Sequence, residues 1–121
     1  MTGDAETQVE KSILQSGEKI EAQILKIAHH GSKSSTSKEF LDYIKPTYAL
    51  ISCGIGNRYN HPHKETIDRL DNKNIKIFRT DKMGTVVVEI TLENICFLWP
   101  VEIYENMKLR RGGMCLLLNR F

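Results

Sequence analysis

Four histidines and one early aspartate carry most of the chemical capacity of this chain. His29 and His30 stand side by side in KIAHHGSKSST, where an apolar run gives way to a loop. His61 and His63 stand two apart in NRYNHPH. Neutral imidazole binds zinc, iron or manganese, and near its ordinary pKa it moves protons. Neighbouring side chains of an extended segment point to opposite faces. One of His29 and His30 is therefore expected to face a given metal, while the other orients it or meets substrate. The competing reading is a pair of loop histidines held by hydrogen bonds, and the pair by itself does not choose.

The stretch GSKSST invites a phosphate-loop reading, but the spacing fails. Lys33 does not directly follow Gly31, as G-x-x-x-x-G-K-[ST] requires. A narrower expectation survives. Free N–H groups at the next helix start, with Ser32 and Lys33 beside them, would hold a substrate phosphate. The alternative is a helix start that is merely well capped. Arg58 can grip phosphate oxygens in a fork, and His61 and His63 flank the same segment. In MTGDAE, Asp4 follows a glycine just before a helix, a common place for a site residue.

These residues need elements to position them. AETQVEKSILQSG predicts a helix with Val9, Ile13 and Leu14 on one face. EAQILKIA predicts a buried strand. Residues 36–39, T-S-K-E, form a capping box that opens a helix with Phe40, Leu41 and Ile44 inward, and Pro46 stops it. TYALISCG predicts a second buried strand. Pro62 fits the first turn of a third helix, with Ile67 and Leu70 apolar and residues 72–74 ending it. IKIFRT and TVVVEITL predict strands joined by DKMG as a hairpin turn. The alternation implies an α/β fold, a layered sheet with covering helices. In such folds ligands gather at the carboxyl ends of the strands, where the histidine loops fall. Residues 93–121 form an extension in which ICFLWPVEIYENM reads as a strand or short helix and the apolar end finds no place.

The chain has 121 residues, 40% hydrophobic and 26% charged, which fits one small globular domain. A net charge of +2 does not announce a nucleic-acid binder by itself. Cys53, Cys96 and Cys115 are odd in number and form no C-x-x-C pair, which excludes a disulfide framework and a zinc ribbon and favours a reducing compartment. No stretch approaches the roughly eighteen apolar residues of a membrane span, and no signal peptide is evident.

The ordered set TGDAE, HHGSKSSTS, NRYNHPHKETIDRL and IKIFRTDKMGTVVVEI resembles the carboxyl-terminal half of the metallo-β-lactamase domain of ComEC-type competence, or DNA-internalisation, proteins and related hydrolases. The resemblance covers about residues 2–90. It implies half of an αβ/βα sandwich, residues 1–92, with a mixed sheet and a site for two divalent metals, zinc or manganese, at its edge. It implies that Asp4 bridges the metals, that His30 is a ligand, and that His29 and His61 act at the site on substrate or proton. It implies a phosphodiester or DNA substrate, with Ser32, Lys33, Arg58 and His63 as phosphate contacts, and a full-length protein attached to a membrane.

The family's main metal motif, H-x-H-x-D-H or D-x-D-H, does not occur in this sequence. The chain is therefore expected to be incomplete as a hydrolase, weak or inactive alone, and short of metal affinity. A half-fold would also leave an apolar sheet face that favours self-association. Two other readings stand beside the hydrolase fragment: a non-catalytic α/β interaction or nucleic-acid-binding module that has lost the metals, and a subunit completed by a separate amino-terminal half-domain.

Overall fold

The computed structural model describes residues 7–98 and 114–118. Among them run α1 (Thr7–Gln15), β1 (Ile24–Lys26), a 3-10 turn (Ala28–Gly31), α2 (Lys38–Ile44), β2 (Tyr48–Ile51) and α3 (Lys64–Asp71). Then follow β3 (Lys76–Arg79), α4 (Thr80–Met83), β4 (Val86–Ile90), β5 (Ile95–Leu98) and β6 (Met114–Leu118). Asp4 lies outside the described residues.

β1, β2 and β3 form a parallel sheet in that order, with Leu25 opposite Ala49 and Ala49 opposite Ile77. Parallel neighbours need a crossover, and α2 and α3 supply the two. The period of two sorts the side chains. Leu25, Ala49 and Ile51 face the helices and pack with Phe40, Leu41, Ile44 and Leu70. Leu50 and Phe78 face the other way and pack with Val86 and Val88 of β4. A strand covered on both faces reads as a continuous apolar run, and Ala49, Leu50 and Ile51 are all fully buried.

The second layer corrects the expectation of one mixed sheet. β4 pairs antiparallel with both β5 and β6 in a separate sheet of order β5-β4-β6. The supposed hairpin between β3 and β4 does not exist. Residues of DKMG lie in α4 and its end, which carry the chain from one sheet to the other, with Gly84 at φ 76° closing the turn. The helix-free face of the parallel sheet is covered by this second sheet, so the bare apolar face expected to drive self-association is absent there. Phe97 of β5 stacks on Phe78 at 4.0 Å and leans on Tyr48 at 4.6 Å, which ties the two sheets together.

Three helix expectations change in detail. Val9 is half exposed, and Glu10 points inward at 1% exposure. The capping box is not formed: Thr36 sits at φ 58°, and Ser37 is the N-cap, accepting from Phe40 N–H at 3.2 Å. Just ahead of the helix, Glu10 accepts the N–H groups of Thr36 and of Ser37, the latter at 2.8 Å. Pro62 precedes α3, whose N-cap is His63, and follows a cis peptide bond.

Candidate site at the carboxyl edge of the parallel sheet

Each parallel strand ends by delivering polar groups to one edge. After β1, Ile27 N–H still reaches the Leu50 carbonyl at 2.8 Å, and then the backbone turns. His29 and His30 are both left-handed, at φ 47° and 53°. Such residues cost about 1–2 kcal/mol each and are held by their surroundings. The pair is therefore not extended, and the expected opposite-face arrangement is replaced by a common one. His61 lies 5.6 Å from His29 and 6.3 Å from His30 between ring centroids, and 4.7 Å from His63. All four histidines of the chain thus meet around His61.

Their nitrogens have distinct fates. His30 Nδ1 meets the Ser52 carbonyl at 2.7 Å. A carbonyl only accepts, so Nδ1 carries the proton and the neutral ring has its lone pair on Nε2. This is the arrangement that commonly fixes the tautomer of a metal-binding imidazole. His29 Nδ1 is buried without a hydrogen-bond partner, a costly state that calls for a reason. His63, expected at the substrate, spends both ring nitrogens on the loops. Nδ1 accepts Lys33 N–H at 3.0 Å and Nε2 donates to the Tyr59 carbonyl at 3.1 Å. His61 has its pKa lowered by burial first and then by the neighbouring His63, His29 and His30. It is thereby kept neutral at physiological pH, able to accept a proton or a hydrogen bond.

β2 ends in Ser52, Cys53 and the loop that carries Arg58, Tyr59 and His61. Asn57 braces this loop: Oδ1 accepts His61 N–H at 2.9 Å, and Nδ2 donates to the carbonyls of Gly54 and His61 at 3.0 and 2.7 Å. β3 is followed at once by Thr80, whose hydroxyl donates to the Cys53 carbonyl and accepts its N–H, both at 2.9 Å. Burial, with Asp81 as hydrogen-bond partner, pushes the Cys53 thiol up to about 11, so it is no nucleophile. Burial opposes the charge on Asp81, but hydrogen bonds from Arg79 and Cys53 outweigh it and hold its carboxyl below the usual range.

His30, Cys53, Asn57, Arg58, Tyr59 and His61 line an open pocket of about 300 Å³. The loop that leads into α2, where a phosphate contact was expected, makes several bonds within the chain. The N–H groups of Thr36 and Ser37 belong to Glu10. Ser32 is nearly buried, its hydroxyl 3.0 Å from that of Ser34. Arg69 of α3 grips the loop from its carbonyl side, reaching Lys33, Ser35 and Thr36 at 2.9, 2.9 and 2.7 Å. Glu10, Asn57 and Arg69 were invisible as site residues, because each reads as a polar residue on a helix or loop surface.

Among the described residues no three His, Cys, Asp or Glu side chains are placed to hold a metal ion. His30 and His29 have the chemistry of imidazole donors, but the described residues do not make a metal site on their own. Among the same residues no helix is long and apolar enough to cross a membrane.

The comparisons with known proteins agree on one direction. The chain is 42% identical over 86 residues to ComE operon protein 3 of Bacillus subtilis (strain 168), which covers 71% of this chain and 11% of that protein. It is 38% identical over 87 residues to competence protein ComA of Neisseria gonorrhoeae, covering 71% of this chain and 13% of that protein. It is 36% identical over 88 residues to recombination protein 2 of Haemophilus influenzae, covering 73% of this chain and 11% of that protein. No protein-family model and no solved structure matches. These relatives are thus a ComE operon protein, a competence protein and a recombination protein, and the chain spans 11% to 13% of their length.

Proposed function

We propose that this chain is part of a metallo-β-lactamase-fold hydrolase that acts on phosphodiester bonds of DNA during competence uptake. The observation that carries the reading is the state of the histidine pair. His30 is locked through Nδ1 on the Ser52 carbonyl, and His29 Nδ1 is buried with no partner beside it. Both are expected of imidazoles arranged for a cation. The centre is completed from outside the described residues, by Asp4 and by ligands of an amino-terminal half. Zinc or manganese bound there would activate a water and offset charge on the phosphoryl group. This chain's own part is narrower. His30 offers Nε2 and is held in place by Ser52. His61, kept neutral by burial, accepts a proton or a hydrogen bond at the pocket wall. Arg58 supplies a cation for a phosphate.

The test reads the histidine rings directly. Ring-nitrogen NMR of the chain is followed while zinc is added, and His30 Nε2 is expected to respond first, at low affinity. His30→Ala should remove the response. Turnover of DNA by the chain alone is expected to be negligible even with excess manganese. Robust turnover abolished by Asp4→Ala would overturn the incomplete site. A second reading, a nucleic-acid-binding module without metal, draws on the lack of a three-donor group among the described residues. It predicts DNA binding with histidine rings silent to zinc.

A further inference from the structure

The geometry points to Tyr59 as a stacking platform for one nucleobase of a single strand, with Arg58 beside it for the adjoining phosphate. This rests on the reading above that the substrate is a nucleic acid, and it names the form of that substrate.

Tyr59 is 59% exposed at the rim of the pocket that holds His30 and His61. An exposed aromatic ring is usually a loose side chain on a mobile loop, but the backbone here is fixed. Asn57 makes three hydrogen bonds across the loop, and His63 holds the Tyr59 carbonyl at 3.1 Å. The ring itself leans on His61, 5.7 Å away and within 25° of parallel, and His61 lies within 20° of parallel to His30 at 6.3 Å. The flat side of Tyr59 is therefore aligned with the rings that line the pocket. Such preorganisation lowers the entropy lost on binding.

The Arg58 guanidinium sits over the Tyr59 ring, 4.9 Å from its centroid. That contact marks a ring face that attracts a planar or cationic partner. A base can take this face, and the displaced guanidinium is then free to meet a phosphate. Ile55 on the same loop is 67% exposed, a second apolar side chain open to solvent. With a net charge of only +2, the chain has little electrostatic affinity to draw on. Stacking supplies affinity that does not depend on charge or on sequence. Bases inside a duplex are already stacked and cannot reach the ring, so the form recognised is a single strand or a frayed end.

The test uses the full chain in chelator, so that neither metal binding nor hydrolysis enters. The probe is a short single-stranded DNA with a central 2-aminopurine. It is compared with the same strand annealed to its complement and with an abasic strand of equal length. Binding to the single strand should quench the 2-aminopurine, and duplex and abasic strand should bind more weakly. Tyr59→Phe should bind like the wild type. Tyr59→Ala should weaken single-strand binding by roughly 5- to 100-fold with an unchanged salt dependence. Arg58→Ala should lower the salt slope by about 0.7. No binding, equal binding of the abasic strand or duplex, or full affinity in Tyr59→Ala would overturn the inference. If strand binding follows Tyr59 while the histidine rings ignore zinc, the platform stands and the hydrolase reading falls. If the rings respond to zinc while strand binding ignores Tyr59, the hydrolase reading stands and the platform falls.

Discussion

Exchanging Glu10 for glutamine changes almost nothing in shape, yet it should cost far more than a surface substitution. The carboxylate is 1% exposed and accepts the N–H groups of Thr36 and Ser37. Hydrogen bonds to charged groups contribute about 1.5–3 kcal/mol each, and a buried donor left unpaired costs about 1–3 kcal/mol. Glutamine keeps one acceptor oxygen and turns the other into a donor. One backbone N–H then faces an amide NH2, and the charge on the remaining bond is gone. The expected loss is about 2–4 kcal/mol, a large part of the roughly 5–15 kcal/mol that holds a domain together. In urea, with a slope of about 2 kcal/mol/M, the midpoint should fall by about 1–2 M without a change of slope. The control is Glu39→Gln, an exposed residue on the neighbouring helix, expected within about 0.5 kcal/mol of wild type. Amide exchange at Thr36 and Ser37 should quicken in the Glu10 variant alone. Equal midpoints for the two variants, with both amides still protected, would show that the carboxylate does not hold the start of α2.

Three further outcomes are expected. His61 should titrate below the ordinary histidine value, and the sign for stability follows. Below a pH of about 6.5 the unfolded chain takes up a proton that the folded site resists, so stability falls from there down to the depressed pKa and is intact above it. Proton NMR of the His61 ring against pH, beside an unfolding series at the same pH values, checks both. Gly31→Ala should destabilise by about 2–4 kcal/mol, because a Cβ there would lie 2.5 Å from Pro62 Cβ and the residue sits at φ 86°; calorimetry measures the loss. Backbone amides of β2 should exchange slowest, since Ala49, Leu50 and Ile51 are fully buried between helices and second sheet; rapid exchange there would contradict the layering.

The parts that sequence reasoning recovered share a physical cause. β2 was legible because a strand buried on both faces is apolar at successive positions, whereas β1, read as central and buried, is an edge strand with Leu25 alone fully inward. The histidine loops were legible because they follow those strands. β4 was legible as a strand but not as a member of another sheet. Periodicity reports the pleat of a segment and says nothing of which edge it joins, and the short α4 looks like a turn. Val9 was misread, and Glu10 passed over, for a different reason. A helical wheel puts Val9 inward with Ile13, yet two unpaired N–H groups at the start of α2 outweigh one valine's burial and draw the carboxylate in. Tertiary demand of that kind leaves no local trace.

The two motifs that carry the resemblance, HHGSK and NRYNHPH, are one object in space, and this limits what a shared motif can mean. Lys33 N–H donates to His63 Nδ1 at 3.0 Å, His63 N–H donates to the Gly31 carbonyl at 3.0 Å, and the Thr66 hydroxyl donates to the Ser32 carbonyl at 3.0 Å. Gly31 has to be glycine because Pro62 is pressed against it. His63 has to accept on one nitrogen and donate from the other, a pairing that a neutral imidazole meets at this span. The join between the loops is by itself enough to require both residues. His30 gives its Nδ1 to the Ser52 carbonyl. His29, with a buried nitrogen lacking a partner, and His61, its pKa lowered by its surroundings, are not spent on joining the loops. A matching row of histidines therefore does not translate into a matching row of ligands, and the chemistry of the site has to be sought in the nitrogens that the fold does not already use.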